Sequence, residues 1–248
     1  MTSREVILRE MGLTPIWVNR AGDVEAPVAE LPTLGVASAD VLAPTEPAAV
    51  AQESSADREA VIAKLSWDGL IASIATCTAC KLCATRINTV PGVGDRSPSW
   101  MVIGEAPGEN EDKQGEPFVG KAGQLLDAML LAVGKKRGDG VYIANVIKCR
   151  PPGNRNPEPD EIAACAPYLA RQIALAEPKL LLASGKFAAQ TLLNRDDTVA
   201  AMRALPAASS QLEGVPIVVT YHPSYLLRSP LEKAKAWDDL MKAKALVP

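Results

Sequence analysis

Four short apolar runs constrain the fold of this chain more than any other feature: residues 100–103 (WMVI), 141–146 (VYIANV), 179–184 (KLLLAS) and 215–221 (VPIVVTY). Each reads as a buried strand, and helical periodicity lies between them. It covers residues 123–133, a segment from about Pro159 or Asp160 that carries Cys165, residues 186–193, and a last stretch near 231–242. Strands alternating with helices predict an α/β sandwich with a mainly parallel sheet. There is no internal repeat, no Walker loop and no dinucleotide fingerprint.

The first strand stops at Gly104, and Gly120-Lys121-Ala122-Gly123 opens the next helix, leaving a polar, Gly- and Pro-shaped loop between them. Backbone N–H groups past the end of a parallel strand are not consumed by the sheet, so open α/β sheets place ligands there. Two other residues stand at comparable strand ends. His222, the one histidine of the chain, follows the last apolar run; lone histidines more often pack or solvate than catalyse. Asn145 carries an amide that donates and accepts side by side, the pattern needed to read an imide or base edge, or equally to satisfy nearby backbone. Phe118 lies in the loop itself, where it stacks a flat ring or plugs a core.

The five cysteines are poor disulfide candidates in a reducing compartment, and the N-terminal MTSREVILREMG, with acids where a signal peptide is basic and then apolar, predicts a cytoplasmic protein. No apolar run reaches membrane-spanning length. Cys77 and Cys80 form a C-x-x-C, and Cys149 and Cys165 make a second pair that a folded core would bring to the first; Cys83 is spare. Four soft thiolates suit an iron–sulfur cluster or tetrahedral zinc, and spacing does not choose between them.

Residues 1–20 read as a small N-terminal element. Residues 21–56, rich in Pro, Ala, Glu and Ser, read as a disordered linker, because dispersed apolar groups do not offset the entropy of ordering them. A domain over 57–248 follows. The first 60 residues hold four Lys/Arg against ten Asp/Glu, leaving 22 against 19 for the remainder. That mild positive excess permits a polyanion partner without requiring one.

Taken in order, GEAPG (104–108), PFVGKAGQLL (117–126), NVIKCRPPGNRNP (145–157) and HPSYLLR (222–228) resemble the family 4, iron–sulfur branch of the uracil-DNA glycosylases. The resemblance covers about residues 70–228. It implies a three-layer sandwich with a central four-stranded parallel sheet, and a [4Fe–4S] cluster on Cys77, Cys80, Cys149 and Cys165. It further implies that Glu105 and Ala106 line a uracil site, Phe118 stacks on the base, Asn145 bonds its polar edge and His222 contacts O2. Excision of uracil from single- or double-stranded DNA is the activity implied. Ala106 stands where family 1 relatives carry a water-activating aspartate; Glu105, Asp112 and Glu116 are near, and none is assigned as base. Leu226 resembles the residue that wedges into the duplex, with Arg228 as a phosphate partner and Lys148, Arg150 and Arg155 as further phosphate candidates. Residues 202–207 look irregular where relatives often have a strand.

A monomeric enzyme acting on uracil-containing DNA is therefore the leading expectation, with binding that weakens steeply with salt. Covalent trapping of the sugar is disfavoured, because family members that do this use a second histidine. The alternative is a uracil-DNA or replication-associated binding module, in which the N-terminal segment recruits a replication or repair partner and no base is released.

Overall fold

The computed structural model of the chain describes residues 55–206, 211–212 and 214–248. The expected N-terminal element and the linker up to residue 54 lie outside the described residues. Helix α1 (Ser55–Ile62) starts two residues ahead of the expected domain boundary, and α2 (Trp67–Ala75) is separate from it, capped by the Ser66 side chain on the Gly69 N–H.

The sheet is built from β1 (Val93–Gly94), β2 (Trp100–Gly104), β3 (Val141–Asn145), β4 (Leu180–Ser184), β5 (Gln211–Leu212) and β6 (Val215–Thr220) in the order β1-β3-β2-β4-β6-β5. The four expected strands form its parallel core, β3-β2-β4-β6. The four-strand expectation is incomplete at the edges, where β1 and β5 add two-residue antiparallel pairings. Two residues carry no periodicity to read.

Helices α3 (Glu109–Gln114), α4 (Lys121–Ala132), α5 (Pro159–Ala176), α6 (Lys186–Leu193), α7 (Val199–Arg203), α8 (Pro223–Arg228) and α9 (Lys233–Leu246) complete the α-helices among the described residues. Alternate strand residues face two separate cores. Trp100, Val102, Ile143 and Leu182 pack with Leu126 and Leu130 of α4 and Leu240 of α9. Met101, Ile103, Ala144 and Leu181 pack with Ile74 of α2, Leu169 and Ile173 of α5 and Leu192 of α6. This is the three-layer sandwich the alternation predicts. Burying each such side chain stabilises by roughly 1.5–3 kcal/mol, enough to offset the ordering of its own backbone.

Two segments depart from expectation. Residues 223–228, to which the sequence assigns no element, form the short helix α8, with Pro223 at its first position and the His222 ring accepting the Ser224 N–H. Met202 and Arg203, read as irregular, close α7; Met202 is buried and Arg203 makes a two-pronged bond to the buried Asp239 at 2.6 and 2.9 Å. Arg203 therefore ties α7 to α9 and is not presented to a ligand.

Candidate active site

The parallel strands end in register, Gly104 opposite Asn145 and Ser184 opposite Thr220. The residues at or just beyond these ends, Glu105, Ala106, Asn145, Gly185 and His222, line one pocket of about 750 Å³ with Phe118. That volume suits a small-molecule-sized group.

Asn145 is the floor. Its side chain is 2% exposed and its Oδ1 has no hydrogen-bond partner among the described residues. A buried acceptor left unpaired costs about 1–3 kcal/mol, so such a group in a pocket is built for a donor that arrives later. Gly104 makes room for it: a Cβ there would run into Asn145 Oδ1 and the Phe118 ring.

Phe118 takes a left-handed backbone, φ 55°, which is unfavourable for an aromatic residue. The conformation is clamped from both sides. Arg137 donates to the carbonyls of Pro117 and Phe118 at 2.8 and 2.9 Å and is itself held by Asp127 at 3.0 Å. Glu111 Oε1 accepts the N–H groups of Val119 and Gly120 at 3.0 and 3.1 Å. The Phe118 ring then stacks near His222, centroids 5.4 Å apart at 29°.

His222 Nδ1 accepts the Ser224 N–H at 3.2 Å and lies 2.7 Å from Ser224 Oγ. With Nδ1 engaged as acceptor, the neutral ring carries its proton on Nε2. Burial, aided by Arg228, pushes the imidazole down to about 4, although Glu111 opposes the shift. The ring is thus a neutral donor at physiological pH. Between the ordinary value of 6.5 and about 4 the unfolded chain binds a proton that the folded one does not. This contribution to stability is complete above pH 6.5 and is lost as pH falls toward 4. The expected result is a loss approaching about 1.4 kcal/mol per pH unit across that window, read as the difference in urea midpoints between wild type and His222→Asn. Glu105 behaves oppositely, since burial raises its carboxyl.

The five residues expected on DNA do not share one surface. Leu226 is 1% exposed and packs beside α4 and α9, so it is a core side chain and not an available wedge. Lys148 is 1% exposed and donates to the Asn145 carbonyl at 2.6 Å; burial lowers its ammonium to about 8. Arg150 bonds Asn154 Oδ1 at 2.6 Å and lies 3.6 Å from Glu109. Arg155 grips the buried Glu161 carboxylate at 2.6 and 2.8 Å. Arg228 is exposed at the pocket rim together with Lys186, which the sequence does not single out, and Arg155 lines the same pocket with about a third of its side chain exposed.

Glu161 is fully buried, and the Arg155 guanidinium holds its carboxyl below the usual carboxylate range. The same carboxylate accepts the Glu158 N–H at 2.9 Å, closing the α5 capping box, and lies 3.8 Å from Lys81. It thereby joins the pocket wall at Arg155 to the segment holding Cys80.

Cys77, Cys80, Cys149 and Cys165 line a single small cavity together with Arg86, Lys148 and Tyr168. Among the described residues no three Cys, His, Asp or Glu groups converge closely enough to hold one metal ion. Arg58 donates to Cys77 Sγ at 3.7 Å, Arg86 to Cys149 Sγ at 3.2 Å and the Lys148 N–H to Cys165 Sγ at 3.3 Å. Such donors favour anionic sulfur. Burial pushes the Cys165 thiol up to about 11, so ligation there would displace a proton.

A family model described as the uracil DNA glycosylase superfamily matches residues 91–241. The chain is 40% identical over 182 residues to the type-4 uracil-DNA glycosylase of Archaeoglobus fulgidus, covering 71% of this chain and 91% of that protein. It is 41% identical over 174 residues to the type-4 enzyme of Thermotoga maritima, covering 69% and 89%. A type-5 uracil-DNA glycosylase of Thermus thermophilus is 30% identical over 156 residues, covering 49% and 71%.

Proposed function

Since the chain belongs to the uracil-DNA glycosylase superfamily and to its type-4 branch, we propose that it takes uracil out of the DNA stack and hydrolyses its N-glycosidic bond, releasing uracil and leaving an abasic site. The observation that carries the site assignment is the unpaired Asn145 Oδ1 on the floor of a pocket walled by Phe118. Uracil N3–H supplies the missing donor, whereas cytosine presents a bare acceptor at N3 and leaves the amide oxygen unpaired. A site built this way rejects the wrong base through the cost of an unsatisfied group.

A base in a duplex must be extruded before it can enter. Phe118 stacks on it, Glu105 and Ala106 border it, and Asn145 reads its imide edge. His222 donates Nε2–H toward O2, where negative charge grows as the bond to the sugar breaks. A neutral imidazole suits this role, because with Nδ1 accepting it still carries the Nε2–H and donates without first having to be protonated.

Cys77, Cys80, Cys149 and Cys165 would hold a [4Fe–4S] cluster, whose bound form supplies a staple joining the segment before the sheet to the loop after β3 and to α5. Four thiols around a common space, with cationic and N–H donors to the sulfurs, fit a polynuclear cluster. One zinc ion would draw all four to about 2.3 Å. Cys83 stands outside the cavity lining.

The glycosylase domain, expected over 57–248, works as a monomer in the cytoplasm, and the N-terminal element recruits a replication or repair partner through the linker. No helix among the described residues is long and apolar enough to cross a membrane. The rim meets DNA through Arg228 and Lys186. On α8 the exposed side chains with apolar surface to fill the gap in the stack are Leu227, 44% exposed, and Tyr225, 36% exposed. Arg228→Ala should weaken binding to uracil-containing and uracil-free DNA alike and reduce the salt slope of log Kd by about 1. Fluorescence anisotropy at several salt concentrations checks this.

The reading is tested by base release from a uracil-containing oligonucleotide, with abasic sites revealed by alkali. Cleavage at uracil supports it. Tight binding by intact protein without release would instead favour the binding-module alternative.

A further inference from the structure

Glu111 is a pocket-lining carboxylate with only half of its bonding capacity used. Oε1 is fixed by the N–H groups of Val119 and Gly120, while no group among the described residues donates to Oε2. The second oxygen faces Gly108, where a Cβ would come within 2.8 Å of it. Gly108 also lines the pocket, so the missing side chain leaves space beside that oxygen.

Position relative to the base follows from His222. Glu111 and His222 line the same pocket, and Glu111 holds the Val119 and Gly120 N–H groups directly after Phe118, whose ring stacks beside His222 at 5.4 Å. In uracil, O2 and the glycosidic nitrogen N1 are attached to the same carbon. That carbon is also bonded to N3, whose edge Asn145 takes, which leaves the N1 side of O2, where the sugar is attached, to the groups beside His222. Glu105, next to Gly104 in the chain, follows the strand that pairs with Asn145.

Resting on the uracil-excision reading, we infer that Glu111 is a catalytic residue: its open carboxylate oxygen orients the attacking water and takes a proton from it. The C1′–N1 bond breaks with its electron pair passing to uracil, leaving positive charge on the sugar. Water oxygen forms the new C1′–O bond and one water proton moves to Glu111. That proton then passes to the uracil anion, restoring the carboxylate and releasing neutral uracil. Anchoring Oε1 to two backbone groups gives the fixed geometry such a step requires, since a positioned group needs no reorganisation at the moment of reaction. The negative charge also favours the cationic sugar.

Glu111→Gln separates this role from loop support, because its amide oxygen can still accept from Val119 and Gly120. In iron-loaded full-length protein, single-turnover uracil release by Glu111→Gln should fall about 10²–10⁴-fold, the range for a lost general base. Affinity for DNA bearing 2′-fluoro-deoxyuridine, which resists cleavage, should be unchanged. Added formate should partly restore the rate of Glu111→Ala. A Glu111→Gln rate equal to wild type would overturn the inference, leaving the carboxylate as a loop clamp. So would rate and affinity falling together without formate rescue. Wild type that releases no uracil is a different failure, that of the excision reading itself.

Discussion

His222→Ala is expected to lower single-turnover uracil release about 10²–10³-fold, the usual loss when one donor to a developing anion is removed. Ring loss has a second effect, because the imidazole caps α8 through the Ser224 N–H, and losing a cap costs about 1 kcal/mol. His222→Asn keeps a capping side chain and removes the imidazole. Both variants should remain folded and retain iron, and both should be slow. If either cleaves at the wild-type rate, the neutral Nε2–H is not the donor at O2. Asn145→Ala should be similarly slow, and it should also lose discrimination against cytosine, since no unpaired amide oxygen remains to penalise the wrong base. Competition between uracil- and cytosine-containing oligonucleotides reads that loss separately from the rate.

Cys165→Ala is expected to have the largest effect on the molecule as a whole. Cys165 stands on α5, 9% exposed, facing the cavity shared with cysteines from the segment before β1 and the loop after β3. A structural metal site can supply about 10 kcal/mol or more, which rivals the whole stability of a domain at roughly 5–15 kcal/mol. Purified Cys165→Ala should lack the visible absorption of an iron–sulfur cluster and should be largely unfolded or melt far below wild type. Cys83→Ala should match wild type in iron content and melting. A Cys165→Ala protein that stayed folded and fully active without iron would remove the staple from the account.

The core of the fold was legible because its strands are continuous apolar runs: residues 180–184 and 100–104 are buried throughout, so nothing in them alternates or needs a phase. Helix α6 was legible to its ends, with Gly185 before it and a left-handed Asn194 after it. Helix α8 was not. Six residues make fewer than two turns, so no periodicity accumulates, and which of the adjacent Leu226 and Leu227 turns inward depends on a rotation that tertiary packing sets. The partners of the cations were hidden for a related reason: Arg150 and Arg155 look solvated in a proline-rich loop, and only the folded chain brings Glu109 and Glu161 to them. Asn145, His222 and Phe118 were found because strand ends and a Gly-framed loop mark them. Glu111 carries no such mark: in the acidic run ENEDKQ it is one of three acids in the first turn of a helix, and only the fold brings it to Val119 and Gly120.

The Arg155–Glu161–Lys81 junction bears on any attempt to engineer an iron-free version of this protein. Filling the thiol cavity with well-packed apolar side chains would replace the staple's packing, but it would leave untouched a buried carboxylate whose partners come from the pocket wall and from the thiol segment. If repacking shifts Lys81 or the start of α5, Glu161 is left with less compensation in a water-poor site, and a buried charge that loses a partner destabilises by about 3–5 kcal/mol. A cluster-free design would therefore have to redesign this polar junction together with the cysteines. The cysteine-bearing half and the pocket-bearing half cannot be exchanged as independent modules.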